Sequence, residues 1–332
     1  MNTKILLLTT GGTIASTPSA DGLRPTADGG ALLSFLGPVS CDITIRDLLT
    51  LDSSNIQPEE WQLIAKTLYE ERLNYDGIVV THGTDTMAYT ASMLSFMLPG
   101  IEIPVVLTGS QLPIFHPLSD APENLRTAFA MAQSKVPGVF IAFNRKVLLG
   151  CRAVKIRTTG FDAFESVNLP PVAQVSSDGL VINRELLPPV KEKCELKIDC
   201  DSRVILLKLI PGLDPKIFSM LQTMGCRGVV LEAFGSGGLA FIRRDLISEL
   251  EKLVESGVSV VVCSQCLYEK SDMTTYEVGR RALEKGVIPG GDITSGAAVT
   301  KMMWALAHCS SPKEVSDIFS ISLAGEYTID TL

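Results

Sequence analysis

The sequence predicts an α/β protein of two domains, and three observations carry that prediction. Uninterrupted aliphatic runs at 5–8, 78–80, 105–107 and 139–143 read as strands buried on both faces, as in parallel sheets. Helical patterns alternate with these runs, the signature of a right-handed βαβ series. The alternation then restarts after a polar stretch, and 332 residues suffice for two separate cores. The expected layout is a larger N-terminal domain with a mainly parallel sheet (1–185), a linker (186–201) and a smaller C-terminal domain with a parallel sheet flanked by helices (202–332).

The first strand runs into Thr9-Thr10-Gly11-Gly12-Thr13. Glycines leaving a strand serve either φ > 0 or close backbone approach. Thr13 follows at the strand's carboxyl end, where open α/β sheets place ligands, so its hydroxyl is a candidate nucleophile. The turn is not a phosphate cradle, since neither G-x-G-x-x-G nor G-K-[ST] is present. Residues 15–30, rich in Ser, Thr, Pro, Asp and Gly, with Asp21-Gly22 among them, read as a mobile loop and a natural lid. A short strand is expected at 43–45, ending in the polar loop Leu51-Asp52-Ser53-Ser54-Asn55. Pro58 with Glu59 and Glu60 opens a helix whose apolar face is Trp61, Ile64, Ala65 and Leu68.

The next strand ends in Thr81-His82-Gly83-Thr84-Asp85-Thr86, with a helix expected at 87–98. The strand at 105–107 ends in Thr108-Gly109-Ser110-Gln111, and Asp120-Ala121-Pro122-Glu123 opens another helix. If these strands are neighbours, their Ser/Thr-rich turns converge on one crevice. Asn144-Arg145 reads as a hairpin turn, 153–157 as a short strand carrying Lys155, and 161–171 as irregular. From Val172 to Asp201, through Pro188-Pro189 and Lys191-Glu192-Lys193, the chain turns polar. Strands at 204–209, 229–231 and 258–263 follow, with helices at 214–223, 244–255, 277–285, 296–307 and 313–321.

A formal charge of −8 with scattered Lys and Arg argues against nucleic acid as a partner, and no apolar run reaches the ~20 residues of a membrane span. With no signal-peptide pattern at the N-terminus, a cytoplasmic location is expected. Eight cysteines, several in apolar runs, read as reduced thiols. Cys263-Ser264-Gln265-Cys266 matches C-x-x-C, but without a second such pair, coincidence at a strand end outweighs a redox or zinc role.

The three histidines, His82, His116 and His308, offer no obvious acid-paired base, and H-E-x-x-H is absent, so no metal site is expected. What remains is Thr, Asp and Lys. Thr84 beside Asp85, with Lys155 near the strands, could form a relay in which a lysine held by an acid serves a hydroxyl. On spacing alone the plainer account, a helix N-cap plus a surface lysine, has the advantage.

Thr10-Gly11-Gly12-Thr13-Ile14-Ala15 and His82-Gly83-Thr84-Asp85-Thr86-Met87-Ala88-Tyr89 together resemble the paired signatures of the bacterial-type L-asparaginases. The resemblance runs nearly end to end, through Leu51-Asp52-Ser53-Ser54, Leu107-Thr108-Gly109-Ser110-Gln111, Gly160-Phe161-Asp162-Ala163-Phe164-Glu165-Ser166 and Ala324-Gly325-Glu326. It is similar to the cytoplasmic type I and archaeal enzymes. This resemblance implies hydrolysis of L-asparagine to L-aspartate and ammonia through a threonyl acyl-enzyme, without metal or cofactor, in a homodimer or a homotetramer of intimate dimers. It implies Thr13 as nucleophile and Thr84, Asp85 and Lys155 as the group that polarises substrate or water. Ser53, with Ser54 beside it, would grip the substrate α-carboxylate and Asp85 the α-ammonium, while Gly12 and the 83–85 turn would lie near the oxyanion. Glu277 would reach the site from a neighbouring subunit.

Three departures stand out. Leu23, followed by Arg24, occupies the lid position where a tyrosine is usual. Glu232 replaces the arginine of the enteric allosteric asparagine site, and Gly237-Gly238 lacks the asparagine of the periplasmic type. Two rival functions are an amidase subunit of a tRNA-dependent amidotransferase, set back by a catalytic strand that starts at residue 4, and a catalytically impaired amino-acid sensor, suggested by Leu23.

Overall fold

The computed structural model describes residues 2–19, 22–189 and 193–328. Asp21, Lys191 and Glu192 fall outside these, and so does the side chain of Leu23. The chain forms two compact units, Met1–Ile198 and Asp199–Leu332.

In the first unit, β1 (Thr3–Gly11) is buried without a break from Ile5 to Gly11, as its aliphatic run requires. The segment read as a loop is instead a hairpin of β2 (Ser16–Ser19) and β3 (Gly22–Pro25), with Thr17 opposite Arg24 and Pro18 opposite Leu23. Its polar composition hides the pairing, because an exposed ribbon needs no apolar alternation. The hairpin base is tied down: the Ala15 carbonyl accepts from the N–H groups of both Thr26 and Ala27, and the Thr17 and Thr26 hydroxyls lie 2.7 Å apart. After α1 (Gly29–Leu33), the strand expected at 43–45 extends over β4 (Cys41–Leu51), parallel to β1. It is an edge strand, which explains the charged Asp42, Arg46 and Asp47 that mask it in the sequence.

Helix α2 (Pro58–Glu71) buries Trp61, Ile64, Ala65 and Leu68, the face its periodicity predicts, and Glu60 accepts from the Gln57 N–H at 2.8 Å to close its first turn. The parallel series continues with β5 (Gly77–Thr81), α3 (Met87–Met97), β6 (Pro104–Thr108), α4 (Ala121–Ala132) and β7 (Gly138–Phe143). Then β8 (Lys146–Leu149) turns back antiparallel, through Asn144 and Arg145 at φ 49° and 64°. Lys155 ends β9 (Ala153–Lys155), which pairs with β10 (Phe164–Ser166) inside the stretch read as irregular.

The polar segment after Val172 likewise contains β11 (Ala173–Ser176) and β12 (Gly179–Ile182). Their one-sided burial gives no apolar run to read. The sheet order is β12-β11-β8-β7-β6-β5-β1-β4, with the last five strands parallel. Residues 194–197 run along the end of α3, Glu195 and Lys197 donating their N–H groups to the carbonyls of Pro99 and Met97.

The second unit is built on an all-parallel sheet of β13 (Val204–Lys208), β14 (Gly228–Ala233), β15 (Ser259–Ser264) and β16 (Ile288–Pro289). Its helices are α5 (Ile217–Thr223), α6 (Leu246–Glu255), α7 (Glu277–Glu284), α8 (Ser295–His308) and α9 (Pro312–Phe319). Phe218, Leu250 and Leu253 pack with Val229, Leu231, Val260 and Val262 in one core. Asp245 caps α6, accepting from the N–H groups of Ile247 and Ser248. Among the described residues, no helix is long and apolar enough to cross a membrane.

Candidate active site

The site is assembled by glycine. Gly12, at φ 86°, lies so close to the turn after β5 that a Cβ there would sit 2.4 Å from the Gly83 nitrogen. A Cβ on Gly83 would in turn meet Ser53 Oγ at 2.5 Å. Any side chain at either position would push apart the turns that follow β1, β4 and β5. The strand ends therefore converge as expected, and Thr13 and Thr84 each lie one residue from the contact. Gly12 contributes proximity rather than a donor, since its own N–H is committed to the Leu51 carbonyl at 2.9 Å. Thr13 opens a 3-10 turn (Thr13–Ala15) and is partly exposed, and its hydroxyl has no hydrogen-bond partner among the described residues.

Lys155 converges on the same turn. Its Nζ donates to Thr84 Oγ1 at 2.8 Å and pairs with Asp85 Oδ1 at 2.6 Å. The Lys155 side chain is only 17% exposed whereas that of Asp85 is 63% exposed, so the carboxylate keeps a face toward solvent while the ammonium is enclosed. The surface-lysine account therefore fails. So does the N-cap account, because neither Thr84 nor Asp85 caps α3.

Ser53, 3% exposed, accepts from the Asp85 N–H through its Oγ at 3.2 Å, and its carbonyl accepts from the Thr86 hydroxyl at 2.7 Å. Its own proton is left to donate. Ser54 is differently engaged: its hydroxyl and N–H both donate to Asp52 Oδ1, holding the Asp52 carboxyl below its ordinary range.

His82 is a structural group. It is fully buried, with Nδ1 2.7 Å from the Gly83 carbonyl and Nε2 2.9 Å from Thr90 Oγ1, which also accepts from Trp61 Nε1 at 3.0 Å. Trp61 donates to Thr90, Thr90 to Nε2, and Nδ1–H to Gly83, a chain that only the neutral imidazole completes. Burial pushes its pKa down to about 4, although the Gly83 bond pulls the other way. In the unfolded chain the imidazole protonates near pH 6.5, so the folded state loses stability as pH falls from about 6.5 to 4, up to about 3 kcal/mol from this group. The fall in Tm over that window, measured by calorimetry, is expected to be shallower in His82→Asn than in the native protein. Parallel curves would remove His82 as the cause.

Sequence reasoning quoted Gln111 within a motif but gave it no role. Its side chain reaches the relay, with Oε1 3.4 Å from Thr84 Oγ1 and Nε2 donating to the carbonyls of Thr158 and Gly160 at 3.1 and 3.0 Å. No pattern signals this, because both carbonyls belong to a loop more than forty residues away. Arg24 is an exposed residue of β3. Glu277 opens α7 in the second unit, and Glu232 ends near Lys208, at 3.8 Å. Cys263 is buried with its thiol pushed up to about 12, chiefly by burial, which disfavours the thiolate a redox or metal role would need. Among the described residues no cluster of three or more His, Cys, Asp or Glu is placed to hold a metal ion.

The family model "Asparaginase, N-terminal" matches residues 4–188, and that of the "Glutaminase/Asparaginase C-terminal domain" matches 203–319. The chain belongs to the asparaginase family. Within that family it is 43% identical to an L-asparaginase from Thermococcus kodakarensis over 329 residues, spanning 98% of this chain and 99% of that protein. A solved thermostable L-asparaginase from Thermococcus kodakarensis superposes with a TM-score of 0.93 at 42% identity, covering 98% of this chain and 100% of the other. A glutamyl-tRNA(Gln) amidotransferase subunit from Methanosphaera stadtmanae is 32% identical over 96% of this chain and 76% of its own length. The two-domain α/β fold read from the sequence is the fold of these asparaginase structures.

Proposed function

We propose that this protein hydrolyses L-asparagine to L-aspartate and ammonia, with Thr13 as nucleophile. The observation that carries the reading is the enclosed Lys155 held against both Thr84 and Asp85, on a turn whose backbone abuts Gly12. In acylation, Thr13 Oγ forms a bond to the side-chain carbonyl carbon. The C–N bond breaks, and nitrogen leaves as ammonia carrying the hydroxyl proton. A water then attacks the ester; the C–Oγ bond breaks, Thr13 regains a proton and aspartate departs.

The Thr84–Lys155–Asp85 group polarises that water. Its charged lysine offers a donor in an enclosed site, where such a group is worth more than in bulk water. The solvent-facing side of Asp85 suits an α-ammonium and the spare Ser53 proton suits an α-carboxylate. Ser54 contributes by fixing Asp52. The reading also has the enzyme acting as a cytoplasmic homodimer or homotetramer without nucleic acid, Glu277 serving a neighbouring subunit, and residues 23–24 lying in the lid.

The likeness to an amidotransferase component favours a second reading, in which the chain frees ammonia for a partner enzyme. Purified protein alone, given asparagine, is expected to release ammonia and aspartate in equal amounts at a steady rate. No turnover without a partner would turn the choice to the second reading. Asparagine binding without turnover under any condition would leave a sensor.

A further inference from the structure

We infer that Gln111 is a positioning residue: it fixes which way the Thr84 hydroxyl proton points, and so presents Thr84's lone pair to Lys155. The inference rests on the asparagine-hydrolysis reading and extends it to a residue outside the catalytic group. Gln111's amide can face only one way. Its Nε2 lies 3.1 Å from the Thr158 carbonyl and 3.0 Å from the Gly160 carbonyl, so the reverse orientation would set an amide oxygen against two carbonyl oxygens. Oε1 is thereby committed toward Thr84, 3.4 Å away, as an acceptor.

A hydroxyl has one proton. Lys155 Nζ, 2.8 Å from Thr84 Oγ1 and bound to Asp85, arrives as a donor. The Thr84 proton therefore goes to Gln111, and its oxygen accepts from Lys155. The long Gln111 contact is the kind that shortens when a substrate is bound. In this polarity Thr84 is poorly prepared to attack a carbonyl, since its proton points away from Lys155. Thr13, whose hydroxyl is uncommitted among the described residues, is free to do so.

The backbone of Gln111 is held independently of its side chain. Its N–H donates to both oxygens of Asp120 at 3.1 Å, and Asp120 also accepts from the Leu112 N–H at 3.1 Å and from Asn124 Nδ2 at 3.0 Å. A side-chain substitution at 111 thus leaves the turn anchored, and the proton direction can be tested apart from the fold.

Gln111→Met keeps the length and removes both polar ends. Assayed by ammonia release beside the native protein, it is expected to lose about tenfold in kcat, the size of one misdirected hydrogen bond, with KM for asparagine within about twofold. Gln111→Glu restores an acceptor, but as a carboxylate it opposes the two loop carbonyls; once protonated it supplies one donor. Its kcat relative to the native protein should therefore rise as pH falls toward the carboxylate range, a recovery that a packing role does not produce. Gln111→Met with native kcat, or parallel losses in kcat, KM and Tm with no recovery of Gln111→Glu at low pH, would overturn the inference. If the native protein itself releases no ammonia, the hydrolysis reading fails instead.

Discussion

Thr13→Ala is expected to fold normally and to hydrolyse asparagine at no more than roughly a thousandth of the native rate, because a covalent nucleophile removes several kcal/mol of barrier. Folding should survive, since the Thr13 side chain is partly exposed and makes no hydrogen bond among the described residues. Thr84→Ala should behave differently: it takes from Lys155 one of its two side-chain partners, so the acyl-enzyme should still form and then hydrolyse slowly. Rapid-quench measurement of aspartyl-enzyme separates the two, with a burst from Thr84→Ala and none from Thr13→Ala. If Thr13→Ala keeps more than a few per cent of native kcat, the nucleophile is Thr84 and the polarity assigned to Gln111 falls with it.

What could be read from the sequence follows from which physical signals are local. The strands β1, β5 and β6 are legible because a sheet covered on both faces demands uninterrupted aliphatics. Helix α2 is legible because one amphipathic face and one capped turn are both coded within a few residues. The ribbons β2–β3 and β11–β12 escape because local hairpins of polar, largely exposed residues carry no apolar run or alternation. The edge strand β4 is read only at 43–45 because its flanks are charged and its length is set by pairing with β1.

The site follows the same division. Gly12 signals either a positive φ or a close approach through residue type alone, but that it approaches Gly83 is a fact of tertiary structure. Lys155 is a candidate by residue type, but only family resemblance lifts it above the surface-lysine account, because nothing in Ala153-Val154-Lys155 distinguishes it from a surface lysine. Gln111 escapes even then, since a neutral amide acquires a role only from the two carbonyls that orient it.

The second large effect lies in the other unit and concerns Ala324-Gly325-Glu326, a motif with no chemistry of its own. Glu326 and Lys301 are both 0% exposed and lie 2.6 Å apart. Lys301 Nζ also donates to the Ile321 carbonyl at 2.7 Å and sits over the rings of Phe319 and Tyr327 at 5.1 and 4.9 Å. Glu326 accepts in addition from the N–H groups of Leu323 and Ala324 and from the Ser322 hydroxyl. The pair thus pins the segment after α9 to the middle of α8. Burial raises the Glu326 pKa, but the Lys301 charge and these hydrogen bonds outweigh it, and the net shift is downward. Its contribution is therefore present above the ordinary carboxylate range and is lost as pH falls through the lowered folded value.

Glu326→Gln strands a buried ammonium and is expected to cost about 3–5 kcal/mol, read as a lower midpoint of chemical unfolding. Lys301→Met combined with Glu326→Leu removes both charges, and should recover most of that loss because neither desolvated ion then remains. If Glu326→Gln unfolds within about 1 kcal/mol of the native protein, water reaches Lys301 despite its burial. If the double variant is as unstable as the single one, the segment is held by its backbone hydrogen bonds to the carboxylate rather than by the ion pair.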